Sequence, residues 1–98
     1  MSQWRVFITP TGERSLKKLP KRAKDFVLLE FPSMVVKNPL IGEFLHGPLS
    51  WLRSYHFHSS GLPYRIAYEL KHSDKTIWIQ YADYRGKFYE KLRRMFHV

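Results

Sequence analysis

Cysteine is absent from the 98 residues. That excludes a disulfide framework and a thiolate metal site, and it is compatible with the cytosol. Acidic residues are scarce: eight Asp and Glu face seventeen Lys and Arg, for a formal net charge of +9. The partners this balance favours are nucleic acid, an anionic membrane or an acidic protein. No apolar run approaches the ~18 residues of a membrane span. The first residues lack a charged segment followed by an apolar one, so no secretory signal is predicted. Repeats and low-complexity segments are also missing. The expectation is a soluble cytoplasmic protein. What is present is a hydrophobic content of 44% with 16% aromatics, enough for a folded chain rather than a disordered one. A single domain over 1–98 is expected, with about two-thirds of its unfolded surface buried.

Period and punctuation give the order of elements. Trp4 to Thr9 is a short β-rich run, ended by Pro10-Thr11-Gly12. Thr11 or Gly12 is the expected cap of a helix through Leu19. Pro20 breaks that helix or begins the next, and Lys21 to about Lys37 forms a second, with Pro32 expected to kink or end it early. Asn38-Pro39 and Gly42 mark the exit. From Leu49 the period becomes two. Tyr55 and Phe57 point one way, and His56 and His58 the other. Ser59 to Pro63 reads as a turn. Tyr64, Ile66, Tyr68 and Leu70 then alternate with Arg65, Ala67 and Glu69, and Thr76 to Ala82 is a third strand. Gly86 to Phe96 closes the chain as a helix, with Lys87, Lys91 and Arg94 as a basic stripe. This is an α+β layout: an N-terminal strand, a helical hairpin, an antiparallel meander with helices on one face, and a short C-terminal helix. It leaves one sheet face open. Tyr55, Phe57, Ile66, Tyr68, Ile77 and Ile79 are the expected core.

The open face is where chemistry would sit. Two histidines on one strand face and Arg65 on the next strand look like a surface that holds a phosphodiester. A His-x-His pair can equally be a solvated face or half a metal site. No metal is expected, because His46, His72 and His97 are scattered and supply no third ligand.

Several segments resemble, in order, the RelE/ParE superfamily of toxin–antitoxin toxins. These are Leu16-Lys17-Lys18-Leu19-Pro20; then Asn38-Pro39, Gly42, Leu45, Gly47 and Leu49; then Leu52-Arg53-Ser54-Tyr55 with Tyr64-Arg65-Ile66-Ala67-Tyr68; and finally Tyr84-Arg85 followed by Tyr89. The resemblance implies a toxin neutralised by a cognate antitoxin. One branch of the superfamily cuts mRNA in the ribosomal A site, and another poisons DNA gyrase. By position, the RNA-cutting residues become His56, His58, Arg65, Arg85 and Tyr89. His56 stands where the family usually has Lys or Arg, and Tyr84 where many members have His. The loop between His58 and Tyr64 reads as longer than in compact members.

On this basis the expected activity is a ribosome-dependent mRNA endoribonuclease that inhibits translation. The 2′-hydroxyl of the substrate is the nucleophile, so neither metal nor cofactor is required. His56 and His58, with an unperturbed pKa of about 6.5, suit general base and acid. Arg65 would clamp the phosphate, Arg85 would add a second cation, and Tyr89 would stack or donate a proton. Arg53, Tyr84, Lys87, Lys17, Lys18, Lys21 and Arg22 are the expected RNA contacts, the last four on the lysine-rich first hairpin. The expected partners are the antitoxin, the ribosome and mRNA, with no membrane and with DNA reached only through the antitoxin. A gyrase inhibitor and an inactive antitoxin-binding homologue remain open alternatives.

Overall fold

A computed structural model describes residues 3–98. Its strands are β1 (Arg5–Ile8), β2 (Glu43–Phe44), β3 (Arg53–Ser59), β4 (Leu62–Lys71) and β5 (Thr76–Tyr84). Its helices are α1 (Pro10–Leu16), α2 (Lys21–Asp25), α3 (Phe31–Lys37) and α4 (Arg85–Met95). The five strands form one sheet in the order β1-β5-β4-β3-β2. β1 runs parallel to β5, and every other pair is antiparallel.

Local chemistry sets the helix ends. The cap of α1 is Thr9, not Thr11 or Gly12: its side chain accepts the Gly12 N–H at 3.0 Å. Pro10 then occupies the first turn, where its missing N–H costs nothing. Gly12 lies where α1 crosses β5, and a Cβ there would come within 2.5 Å of the Ile79 carbonyl oxygen. Helix α1 also takes over the edge of β5 where β1 ends. The Thr9 N–H donates to Ile79 O at 3.0 Å, and the Ala82 N–H donates to Ser15 Oγ at 3.1 Å. The helix stops at Leu16 rather than Leu19.

Pro32 does not end the second helix early. The chain passes through one wide π-helical turn, Phe26–Glu30, and resumes as α3 with Pro32 in its first turn. Proline cannot donate to the carbonyl four residues back and its ring crowds it; a wider turn just upstream relieves both. The turn leaves Leu28 and Leu29 on the surface.

Ser60 and Gly61 both have positive φ, 52° and 79°. They form the two-residue connection favoured by right-twisted hairpins. The link between β3 and β4 is therefore short, and β3 and β4 extend to Ser59 and from Leu62. The period-two segment also begins later than the sequence pattern indicated, since Gly47–Leu49 is a 3-10 turn and β3 starts at Arg53.

Both faces of the sheet are packed, which corrects the expectation of one open face. On one face Leu16, Ala23, Val27, Phe31 and Val35 meet Phe57, Ile66, Tyr68, Ile77 and Ile79. On the other, Phe88 and Leu92 of α4 cover Ala67 and Tyr81, with Leu45, Leu49 and Leu52 beside them. A β-bulge makes this possible. Tyr68 pairs with Ile79 but Ala67 pairs with Tyr81, so Gln80 is an extra residue. After it the alternation of β5 reverses, and Tyr81 turns to α4 while Ala82 joins Ile79 in the first core.

Tyr68 ties the first core to the segment that leads into β2. Its hydroxyl accepts the Gly42 N–H at 2.8 Å and donates to Pro39 O at 2.9 Å. Tyr68→Phe keeps the ring but leaves a buried N–H unpaired. A loss of about 1–3 kcal/mol is expected, read as a fall in Tm of several degrees by thermal denaturation.

Candidate functional site

Cross-strand pairing places the chemistry. Arg65 lies opposite His56 on one side and Asp83 on the other, so the three share the α4 face of the sheet. The next row is Glu43, Ser54, Ala67 and Tyr81. Helix α4 crosses above these rows and presents three sides. Phe88 and Leu92 are buried against the sheet. Tyr89 and Arg93 turn toward His56, and Lys87, Lys91 and Arg94 turn toward α1.

The contact between sheet and helix is made by Arg65. Its Nη1 donates to the Tyr89 hydroxyl at 2.5 Å, and its guanidinium carbon stands 4.9 Å from the Tyr89 ring centroid. Glu69, four residues on, instead accepts from Gln80 Nε2 at 3.2 Å. Asp83 accepts from the Tyr81 hydroxyl at 2.5 Å and from the Tyr84 N–H at 2.7 Å, with Lys91 at 3.7 Å. Burial and the Asp83 carboxylate hold the Tyr81 phenol well above its usual range, so it stays protonated and fixed. Asp83 thereby secures the start of α4.

Beside His56 lies a groove of about 280 Å³. Glu43, Ser54 and His56 line it from the sheet, Leu45, His46, Pro48 and Leu49 from the preceding segment, and Tyr89 and Arg93 from α4. The imidazole of His56 has its pKa lowered from the usual 6.5. Partial desolvation by the groove wall is the main cause, followed by Arg65; Glu43 opposes the shift and Arg85 adds to it. A neutral imidazole at pH 7 is a proton acceptor.

The structure brings His56, Arg65 and Tyr89 together, with Arg85 close enough to act on His56 through its charge. His58 shares their face but lies opposite Pro63, one step further out on β3, and does not line the groove. Arg53 does not join them. It is on the other face, where its Nη1 donates to Gly42 O at 2.6 Å and its guanidinium carbon stacks 3.9 Å over the Phe44 ring. Tyr84 caps α4 and meets Tyr64 edge-on at 6.1 Å. Of the first-hairpin cations, Lys18 lines a second groove of about 700 Å³ between α1 and α4, together with Arg14, Lys87, Lys91 and Arg94. Lys17, Lys21 and Arg22 do not line it; Lys21 pairs with Asp25 at 2.6 Å.

Glu43, Ser54 and Arg93 were not legible as residues of this groove. Glu43 and Ser54 meet only through β2, a two-residue strand with no pattern of its own. Arg93 is four residues after Tyr89, so the helical spacing held the signal. Among the described residues no three His, Cys, Asp or Glu side chains converge to hold a metal, and no helix is long and apolar enough to cross a membrane.

This geometry has known counterparts. A chain of the RelBE2 toxin–antitoxin complex of Mycobacterium tuberculosis matches with a TM-score of 0.73 at 30% identity, over 84% of this chain and 98% of that one. A chain of the archaeal RelE–RelB complex of Pyrococcus horikoshii matches with a TM-score of 0.56 at 25% identity, over 89% and 99%. A mutant RelE toxin of Escherichia coli in its free state matches at 14% identity with a TM-score of 0.69, over 96% and 98%, which speaks for the fold alone. No curated protein sequence matches the chain. Fold and sequence similarity thus define a toxin of the RelE/ParE class. A family model described as the ParE-like toxin of type II bacterial toxin–antitoxin systems matches residues 6–93. The chain belongs to that family.

The His56 environment is open to direct test. Arg65→Gln removes one of the charges that depress its pKa, so the imidazole should titrate at higher pH than in the parent protein. Histidine ring signals followed by NMR across pH 4–9 would check this; an unchanged midpoint would mean that Arg65 does not act on His56.

Proposed function

We propose that this toxin is an endoribonuclease that cuts mRNA on the ribosome, with His56 as the general base. The observation that carries this reading is a partly desolvated, neutral imidazole directly opposite an arginine that is itself bonded to a tyrosine hydroxyl. Cleavage begins when the 2′-hydroxyl attacks the adjacent phosphate. His56 takes the proton from that hydroxyl. Arg65 and Arg85 stabilise the charge that develops on the phosphorane oxygens. The Tyr89 hydroxyl, already paired with Arg65, supplies the proton to the departing 5′-oxygen. Atoms balance without a metal: the products are a 2′,3′-cyclic phosphate and a 5′-hydroxyl. His58, outside the groove, serves the flanking backbone rather than proton transfer.

The second groove supports the same reading. Arg14 and Lys18 come from α1, and Lys87, Lys91 and Arg94 from α4. Five cations from two distant segments suit the phosphates of ribosomal RNA around the codon, and Tyr84 lines the same groove; Lys17, Lys21 and Arg22, outside it, are further RNA contacts in this reading. Gripping several phosphates makes binding steeply salt-dependent. The relatives crystallised as toxin–antitoxin complexes support a cognate antitoxin as the protein partner. A cytoplasmic site of action follows from an mRNA target.

One observation favours a second reading, inhibition of DNA gyrase: the matching family model is ParE-like. Such an inhibitor has no use for a proton acceptor.

Primer extension on a defined mRNA in a purified translation system separates the two. Cuts confined to ribosome-bound codons are expected. His56→Ala and Arg65→Ala should each lower cleavage by roughly 10²–10³-fold with the fold intact by circular dichroism. The acid limb of the pH–rate profile should lie below pH 6.5, because His56 must be unprotonated and its pKa is depressed. Intact mRNA together with inhibited gyrase supercoiling would replace the nuclease reading with the second one.

A further inference from the structure

We propose that the groove beside His56 is a nucleobase pocket in which Glu43 and Ser54 read the base next to the scissile phosphate, with guanine preferred; this rests on the nuclease reading above. The first argument is Ser54. It is 2% exposed, and its Oγ is buried without a hydrogen-bond partner. The other buried serine and threonine, Ser15 and Thr76, are both bonded, Ser15 to Gly12 O at 2.6 Å and Thr76 to Asp74 Oδ1 at 2.7 Å. A buried hydroxyl left unsatisfied in a groove wall calls for a partner supplied from the groove.

The second argument is Glu43. It lies directly across from Ser54 on β2. The three ion pairs of the described residues use Asp25, Asp83 and Glu90, so Glu43 faces the groove without a paired cation in a chain of net charge +9. A lone carboxylate beside Leu45, Pro48 and Leu49 repels phosphate and accepts N–H donors. Guanine alone among the RNA bases offers two donors side by side, N1–H and the N2 amino group, which match the two carboxylate oxygens. Adenine, cytosine and uracil each offer a single donor position at that edge.

The third argument is placement. The Glu43–Ser54 row is one step along the strand from the His56–Arg65 row, ~6.6–6.8 Å away. A phosphate held at Arg65 therefore leaves its neighbouring base over Ser54. The volume of about 280 Å³ lies just below the ~300–1,000 Å³ of sites for drug-sized ligands, room for one splayed base. Tyr89 supplies the aromatic wall that single-stranded RNA bases stack on.

Two measurements test this together. Guanosine 3′-monophosphate and uridine 3′-monophosphate are titrated into the protein and followed by amide NMR. Guanosine should bind at least tenfold more tightly and shift Glu43 and Ser54, with Glu43→Gln reducing the preference to under threefold and Ser54→Ala weakening guanosine binding several-fold. In the translation system, mRNAs differing in one base of the A-site codon give a guanine-to-uracil cleavage ratio, which should fall at least fivefold in Glu43→Gln. Equal affinity for the two nucleotides, or a cleavage ratio untouched by Glu43→Gln, overturns the pocket even where mRNA is cut. Loss of cleavage at all codons in Glu43→Gln with guanosine selectivity intact also overturns it, by moving Glu43 into proton transfer. Guanosine selectivity that depends on Glu43, without any mRNA cleavage, supports the pocket and removes the nuclease reading.

Discussion

The extra residue in β5 is the constraint on which the rest of the molecule depends. With strict alternation, Tyr81 and Asp83 would lie on the face of Ile79, under the N-terminal helices. The bulge at Gln80 sends them to the other face. There Tyr81 builds the seat for Phe88 and Leu92, and Asp83 holds the N–H of Tyr84 at the head of α4. A second small core thus exists on a face that would otherwise be bare. His56, Arg65 and both grooves of that face are arranged around the helix so seated.

From that seat α4 partitions one side of the sheet. Its buried stripe fixes its rotation, and a helix with one buried stripe must turn its remaining residues to either side. Tyr89 and Arg93 fall toward His56, while Lys87, Lys91 and Arg94 fall toward α1. The groove beside His56, with the Glu43 carboxylate, and a polycationic groove without unpaired acid are thereby kept apart by the width of a single helix. The separation is chemical as well as spatial. The first groove carries a carboxylate, imidazoles and an arginine, the second five lysines and arginines.

The sequence carried much of this, and the limits were physical. Period-two alternation put His56 and His58 on one face and Phe57, Ile66 and Tyr68 on the other, as found. The helical hairpin and α4 were also legible, because amphipathic spacing survives without knowledge of neighbours. The bulge was not legible, since a bulge is a property of two strands and β5 alone gives no sign of it. The second core followed from the bulge and was unforeseen with it. Arg53 read as an RNA contact because its partners, Gly42 O and the Phe44 ring, belong to a loop and a two-residue strand with no periodicity. The turn at Ser60–Gly61 read as longer than it is, because Leu62 and Pro63 look like turn residues yet lie in β4.

The parallel pairing of β1 with β5 has a kinetic consequence. Arg5 lies beside Thr76 although most of the chain separates them in sequence, whereas the β3–β4 and β4–β5 hairpins close over short turns. Loop closure costs entropy that grows with the length enclosed, and non-local pairings form late for that reason. The closure entropies thus favour an order in which the hairpins assemble first and β1 docks last, carrying α1 onto β5 through Thr9 and Ser15. Until that docking, the β5 edge stands unpaired and the wall that α1 gives the polycationic groove is missing.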